Sequence, residues 1–231
     1  MNSTVDNYFK EIKNKKIAVV GIGVSNVPLI KYFAEKGIKV TALDKRDKNY
    51  IGKSYDELLQ IGTDIQEFLK AMEKGAVITS EMELFFELCP CKIIGVTGSD
   101  GKTTTTTLIS EFLNQEGYKV YKGGNIGIPL LSKVEEMRKE DFAVVELSSF
   151  QLHTMKSSPD IAIVTNVAPN HLDWHIDMNE YIDSKKNIFR YQKENGILIV
   201  NRDNEISYNM KNETNSEIRV FSFSNKLENG I

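Results

Sequence analysis

Apolar, β-branched runs alternate with amphipathic stretches along the whole chain. The runs at Ile17–Val20, Lys39–Leu43, Ala76–Thr79, Lys92–Thr97, Tyr118–Tyr121, Phe142–Glu146, Ile161–Asn166, Ile197–Asn201 and Arg219–Phe223 predict strands. Most are continuously apolar, as strands covered on both faces must be. Helical patterns lie between them. Val27–Lys36 carries Pro28 in its first turn and Gly37 just past its end. Ile65–Lys74 is preceded by Thr63 and holds Gln66 as a capping box, with Ile65, Phe68, Leu69 and Met72 on one face. Lys102–Glu116 runs up to Gly117, and Asn179–Glu194 ends near Gly196. This strand–helix rhythm predicts an α/β fold with parallel, doubly wound sheets. A break at Leu88–Lys92, around Pro90, divides residues 1–90 from 91–231. The last predicted strand is followed only by "NKLENGI". The second domain is therefore expected to be incomplete.

Composition narrows the class. The 231 residues include 29 basic and 32 acidic side chains, a formal charge of −3. That balance points away from nucleic acid and from anionic membrane surfaces. No apolar run approaches the ~20 residues of a membrane helix, and "MNSTVDNYFKEIKNKK" lacks the apolar centre of a signal peptide. Cys89 and Cys91, the only cysteines, are too few and too close for a disulfide framework or a zinc site, and read as two reduced, partly buried thiols. A soluble cytoplasmic protein is expected.

Two glycine loops carry the candidate chemistry. "GVTGSDGKTTTTT" places Gly98 and Gly101 between a buried strand and a helix beginning at Lys102. Glycines let backbone N–H groups approach phosphate oxygens, and the helix N-terminus adds partial positive charge. Gly98, Ser99, Asp100, Gly101, Lys102, Thr103 and Thr104 are the expected ATP-binding residues, with Lys102 reaching the outer phosphates and the Thr103 hydroxyl taking a magnesium position. The strict G-x-x-x-x-G-K-[ST] pattern fails, because Val96 stands where its first glycine belongs. In the first domain, "IAVVGIGVSN" and "KVTALD" resemble a dinucleotide fingerprint ending in Asp44, with Asn26 in place of the third glycine. A lone G-x-G leaves a nicotinamide cofactor, another nucleotide and no ligand open. Were a nucleotide diphosphate bound, Ser25 would add a donor, Asp44 would accept from a ribose or base, and Arg46 would hold a phosphate.

Glu146 closes the strand "FAVVE", and His171 and Asp173 follow "IAIVTN", both at carboxyl edges where sheet ligands bind. His153 and His175 read as surface or packing residues. Lys185 is singled out by helix geometry. At ~100° per residue from Tyr181, Ile182, Ile188 and Phe189 fall near 100°, 340° and 80°, an apolar arc centred at about 40°, where Lys185 also falls; Lys186 falls near 140°, at the rim. A lysine centred on a buried face must be paired, chemically altered, or carried out to solvent on its stem.

Together these residues resemble the ATP-dependent Mur ligases of peptidoglycan synthesis. The family loop T-G-[ST]-[ND]-G-K-[ST] accounts for the failed strict pattern. "GGNIGIPL" (Gly123–Leu130), "ELSSFQL" (Glu146–Leu152) and "NHLDWH" (Asn170–His175) match in order and spacing, and "ELSSFQL" is similar to the branch that adds D-glutamate. The resemblance implies a Rossmann-like domain binding the UDP substrate at 1–90 and a P-loop-type ATP-binding domain at 91–231. It also implies a C-terminal amino-acid-binding domain, expected to be absent here and to leave this piece alone inactive. The implied reaction joins D-glutamate to UDP-N-acetylmuramoyl-L-alanine through an acyl phosphate, in a monomer. Other ligases of the superfamily, a small-molecule kinase and a nicotinamide enzyme are the rival readings.

Roles follow only from that resemblance. Lys102, Lys185, His171 and Asn125 would be catalytic. Thr103, Glu146, His171 and Lys185, the last as a carbamate, would serve magnesium. Gly23, Val24, Ser25, Asp44, Arg46, Asn125, Ser148 and Gln151 would hold the UDP substrate. Between Ser54 and Ala76 the chain is shorter than the family pattern, which has a further strand and a glycine loop there. Part of the UDP site is therefore expected to be missing.

Overall fold

The structure, a computed structural model, describes residues 3–15, 17–20, 26–43, 64–66, 80–169 and 175–227. The chain divides into two compact units: Met1–Glu81 with Leu131–Glu135, and Met82–Leu130 with Glu136–Ile231.

In the first unit, α1 (Ser3–Ile12) precedes β1 (Ile17–Val20), α2 (Asn26–Glu35), β2 (Val40–Leu43) and β3 (Asp64–Gln66), and the strands form a parallel sheet in the order β1-β2-β3. Phe9 of α1 meets Tyr32 and Phe33 of α2 edge to face, at centroid distances of 5.5 and 5.9 Å. This contact buries the apolar stripe of each helix. Tyr32 donates from its hydroxyl to Glu135 Oε1 at 2.7 Å.

The β3 strand corrects the sequence reading. Residues 65 and 66 were expected to open a helix behind a capping box. Instead Asp64–Gln66 pairs in parallel with Thr41–Leu43. Pairing at the open edge of β2 satisfies this backbone outside any helix and overrides the local capping signal. The strand also lies within the segment read as having lost one. The rest of that expected helix, and the expected strand Ala76–Thr79, lie outside the described residues.

The second unit starts ahead of the Pro90 break, with α3 (Glu81–Leu88) contributing from Met82 onward. There follow β4 (Lys92–Thr97), α4 (Lys102–Gln115) and β5 (Val120–Gly124), then, past a 3-10 turn (Leu131–Glu136) of which Leu131–Glu135 belongs to the first unit, β6 (Phe142–Glu146), α5 (Ser149–Thr154), β7 (Ile161–Val164) and α6 (Met178–Arg190). β8 (Ile197–Asn201), α7 (Glu205–Asn209), a 3-10 turn (Met210–Glu213) and β9 (Glu217–Phe221) complete it. Six parallel strands stand in the order β5-β6-β4-β7-β8-β9. β4 lies between β6 and β7, and Ile94, Val96, Val144 and Ile163 form one core cluster there. That position explains its uninterrupted apolar sequence. The chain leaves β4 toward β5 and β6 on one side and later takes up β7 on the other. The carboxyl end of β4 is thus the switch point of the sheet, where doubly wound folds bind ligands.

Several strand and helix ends differ from expectation. β5 begins at Val120 and runs through Gly123 and Gly124, which pair with Val145 and Glu146. A side chain at Gly123 would meet Leu130 Cγ at 2.6 Å, so the strand passes only as glycine. β7 ends at Val164, because Thr165 and Asn166 leave the ladder to bond the loop after β4. β9 is Glu217–Phe221, set by pairing with Ile197–Asn201. α6 stops at Arg190, and the Gln192 amide beyond it bonds Pro159 O and Ile197 O, each at 3.0 Å. No helix among the described residues is long and apolar enough to cross a membrane.

Candidate active site

The loop after β4 is a built cradle. Gly98 leaves no room for a side chain, since a Cβ there would lie 1.9 Å from Thr165 Oγ1. Thr165 Oγ1 donates to Asp100 O at 2.7 Å, and the Asn166 amide both donates to Asp100 O (3.1 Å) and accepts from Asp100 N–H (3.0 Å). Ser99 N–H donates to Asn166 O at 2.9 Å. The Ser99 hydroxyl donates to Ala168 O (2.8 Å), accepts from Ala168 N–H (2.9 Å), and lies 3.0 Å from the Tyr181 hydroxyl. Ser99 and Asp100 therefore build the loop with their own donors. What faces outward is the start of α4. Gly101, at φ +78°, is its N-cap and supplies no side-chain cap. The first N–H groups of a helix have no intrahelical partner, so Gly101 through Thr104 present donors and a dipole to an anion.

Beside this cradle stands Glu146, at the end of β6 and 2 % exposed. Thr103 Oγ1 donates to its Oε2 at 2.7 Å, and Asn125 Nδ2 donates to its Oε1 at 2.9 Å. Asn125 is placed by its own N–H, which donates to Glu146 O at 2.9 Å, and by Gly124, at φ +101°, where a Cβ would meet that same carbonyl at 2.2 Å. The loop hydroxyl and the glutamate that the sequence singled out thus meet directly, at the carboxyl end of β6. Hydroxyl and carboxylate oxygens are the hard donors that magnesium takes alongside phosphate, so this pair fits such an ion. Among the described residues no three His, Cys, Asp or Glu side chains gather as a metal cluster.

Lys185 lies where the helical wheel placed it. It is 1 % exposed, its Nζ donates to Gly98 O at 2.9 Å, and that Nζ sits 4.6 Å from the centre of the Tyr181 ring. Lys102 donates to the same Gly98 carbonyl at 3.0 Å and to Ser99 O at 2.9 Å. Two ammonium groups converge on one oxygen. Burial, and then the charge of Lys102, lower the Lys185 amine from its ordinary 10.5 to about 7. Lys186, at the rim, instead pairs with Glu213 at 2.8 Å.

Other expectations fall differently. Ser148 and Gln151 cap α5: Ser148 Oγ accepts from Gln151 N–H at 3.2 Å, and Gln151 Oε1 accepts from Ser148 N–H at 3.0 Å. This is a capping box, made by Ser148 N–H, Ser148 Oγ, Gln151 N–H and Gln151 Oε1. His175 packs as expected, 2 % exposed, with Nε2 3.0 Å from Ser149 Oγ and its ring stacked on Phe150. His153 is exposed, with Nδ1 2.8 Å from Ser184 Oγ. Gly23, Val24, Ser25, Asp44, Arg46 and His171 lie outside the described residues. Tyr181, Thr165 and Asn166 were missed. The available signal for Tyr181 was its position one helical turn before Lys185.

A profile of the Mur ligase middle domain matches residues 96–230. The UDP-N-acetylmuramoylalanine–D-glutamate ligase of Acetivibrio thermocellus is 49% identical over 256 aligned positions, which take in 100% of this chain and 55% of that protein. The ligase of the same name from Clostridium botulinum (strain Okra) is 47% identical, with 100% and 56% covered. The chain thus spans about half the length of the curated relatives it matches. Among solved structures, UDP-N-acetylmuramate:L-alanyl-gamma-D-glutamyl-meso-diaminopimelate ligase from Neisseria meningitides superposes with a TM-score of 0.59 at 16% identity, over 90% of this chain and 78% of that one. MurF ligase from Thermotoga maritima in complex with ADP gives 0.53 at 21% identity, over 94% and 49%. These structures share the fold. With the family profile spanning more than half of its length, the chain belongs to the Mur ligase family.

Proposed function

We propose that this chain forms the UDP-substrate and ATP-binding part of a ligase that joins D-glutamate to UDP-N-acetylmuramoyl-L-alanine. The observation that carries the reading is the convergence of Lys102, Thr103, Glu146 and Lys185 around the loop at the sheet's switch point. The two ligases compared above, at 47–49% identity, carry the name of that reaction.

A carboxylate is a poor acyl donor, and transfer of the γ-phosphoryl group of ATP onto it creates a leaving group for the incoming amine. Gly101–Thr104 and Lys102 bind the triphosphate. On phosphate binding, Lys102 exchanges its two loop carbonyls for phosphate oxygens and offsets charge as the group moves. Thr103 and Glu146 would hold magnesium, with His171 assigned to a second ion by its motif alone; the metal supplies charge neutralisation at the phosphates. Asn125 orients Glu146 and faces the reacting end. Gly23, Val24, Ser25, Asp44 and Arg46 would hold the UDP half.

Lys185 fits the role of a carbamate. Its amine is substantially neutral near pH 7, and only the neutral amine adds carbon dioxide. The product is an anion with oxygens for metal or water, in place of a cation crowded by Lys102. The reading is tested by joining this chain to the remaining length of the Acetivibrio thermocellus ligase and measuring phosphate release. Release should require both UDP-N-acetylmuramoyl-L-alanine and D-glutamate. Equal release with L-glutamate or another amino acid, or with an alcohol acceptor and no amine, defeats it. Carbon-13 bicarbonate should give a carbamate resonance that Lys185→Ala removes.

A further inference from the structure

Cys89 and Cys91 lie outside the site described above, between α3 and β4. Their Sγ atoms are 3.4 Å apart. Cys91 is buried and Cys89 half-buried, so Cys89 is the less enclosed residue of the pair. Three constraints bring them together. Cys89 N–H closes the last turn of α3 on Phe85 O at 2.8 Å. Pro90 fixes the single intervening φ. Cys91 leads directly into β4, whose Ile93 N–H is held by Asp160 Oδ2 at 2.8 Å. The Met137 sulfur, 3.8 Å from Cys89 Sγ, lines the same spot. A disulfide needs an S–S distance of ~2.05 Å, so the two sulfurs must close by roughly 1.4 Å, within the reach of side-chain rotation on so short a tether. The hydrogen bond between the thiols lowers Cys91 and raises Cys89.

We propose that Cys89 and Cys91 form a reversible dithiol–disulfide couple, a modification site addressed by low-molecular-weight disulfides of the glutathione type. Loss of one proton leaves a thiolate that the hydrogen bond favours on Cys91, and transfer of the remaining proton across the 3.4 Å gap moves that thiolate to Cys89, the less enclosed residue. That thiolate attacks one sulfur of the small disulfide, whose S–S bond breaks and releases a thiolate. Cys91 then gives up its proton and attacks the Cys89 sulfur of the mixed disulfide, expelling the second thiolate. Two protein thiols are oxidised by two electrons, one small disulfide is reduced to two thiols, and both protons end on those thiols. Because the folded chain already holds the sulfurs together, it forms the bond at a more reducing poise than the unfolded chain does.

The test equilibrates the 231-residue chain anaerobically with stepped ratios of reduced to oxidised glutathione. Samples are quenched in acid, unfolded, alkylated with N-ethylmaleimide and weighed by intact-mass spectrometry. The expected result is passage from two maleimide adducts to none, with loss of two hydrogens and a two-electron dependence on poise. A parallel titration in guanidinium should place the unfolded chain's midpoint at a more oxidising ratio. Cys89→Ser and Cys91→Ser should each lose the hydrogen-loss species. Persistence of two maleimide adducts at the most oxidising ratio, accumulation of glutathione adducts or disulfide dimers in the unsubstituted chain, or equal midpoints folded and unfolded would each overturn the proposal.

Discussion

The loop Gly98–Thr103 and the helix α6 deliver the same functional group to the same oxygen by opposite routes. Lys102 sits four residues after Gly98, half-buried, and bonds two carbonyls of its own loop. Lys185 comes from 87 residues downstream and is almost wholly buried. The loop is a contiguous device, in which glycines clear the space and the first turn of α4 supplies N–H groups. The helix contributes one side chain across packed protein, and its amphipathic face, with Tyr181, Ile188 and Phe189, carries that side chain inward. The consequence is chemical. Desolvation acts on the helix lysine and moves it to about 7, with the loop lysine's charge adding to the effect. One lysine is placed to meet phosphate as a cation, and the other is prepared to stop being one.

The widest split between them should appear in turnover by the joined ligase described above. Lys102→Ala should lower the rate by about 10²–10³, the usual cost of one preorganised charged contact in a phosphoryl-transfer site, with the melting temperature nearly unchanged. Lys185→Ala should lose most of its activity too, but added formate or acetate should restore part of it by filling the carbamate's space. The same acids should do nothing for Lys102→Ala. Rescue of both variants, or collapse of folding in place of turnover for Lys102→Ala, would erase the distinction.

Titration offers the next effect. Unfolded, Lys185 titrates at its ordinary 10.5; folded, at about 7. Between those values the unfolded chain binds more protons, so stability rises with pH across that window. Below about pH 7 both states carry the proton, and the penalty is complete and flat. Burying the charge opposes folding there by about 5 kcal/mol, taking 1.36 kcal/mol per pH unit. In carbon dioxide-free buffer, the unsubstituted chain should therefore gain about 3 kcal/mol on Lys185→Met between pH 7 and 9.5 by denaturant unfolding. A constant gap across that range means the amine is not depressed.

Gly98→Ala probes the loop side. With a Cβ directed at Thr165 Oγ1 at 1.9 Å and at Asn166 O at 3.0 Å, the substitution overfills a tight site. It should cost about 1–3 kcal/mol in stability and abolish nucleotide binding by calorimetry. Thr165→Ala removes the first of these clashes, so Gly98→Ala should cost less in a Thr165→Ala background than alone. Simple additivity of the two changes would place the strain elsewhere.

How much of this was legible follows from the same contrast. β4, β6 and β8 were read to the residue, because a buried parallel strand writes itself as an unbroken apolar run. The glycine loop was legible as a motif, and Lys185 as an anomaly on a helix face. Interactions made across the fold left no such mark. Asp64–Gln66 looked like a helix start because its capping signal is local, whereas the strand that it pairs with lies some twenty residues earlier. Thr165 and Asn166 read as strand, since nothing in "IVTN" announces that their side chains serve a loop more than sixty residues upstream. Ser148 and Gln151 were read only as substrate contacts, and the capping box they form went unread although its residues stand three apart.

The smallest expected effect is the control on which the helix argument rests. Lys186 neighbours Lys185 in sequence, but the wheel turns it to the rim, and its Nζ meets Glu213 Oε2 at 2.8 Å with side-chain exposures of 20% and 47%. A pair that open to solvent contributes little, ~1 kcal/mol at most, and salt screens it. Lys186→Ala should therefore leave turnover of the joined ligase within about twofold and lower stability only slightly, a loss that shrinks further in ~1 M salt. The two are adjacent lysines on the same helix, so any general effect of truncating a lysine in that stretch would strike both. If Lys186→Ala cost as much turnover as Lys185→Ala, burial at the centre of the apolar face would not be what distinguishes Lys185, and the carbamate reading would lose its physical basis.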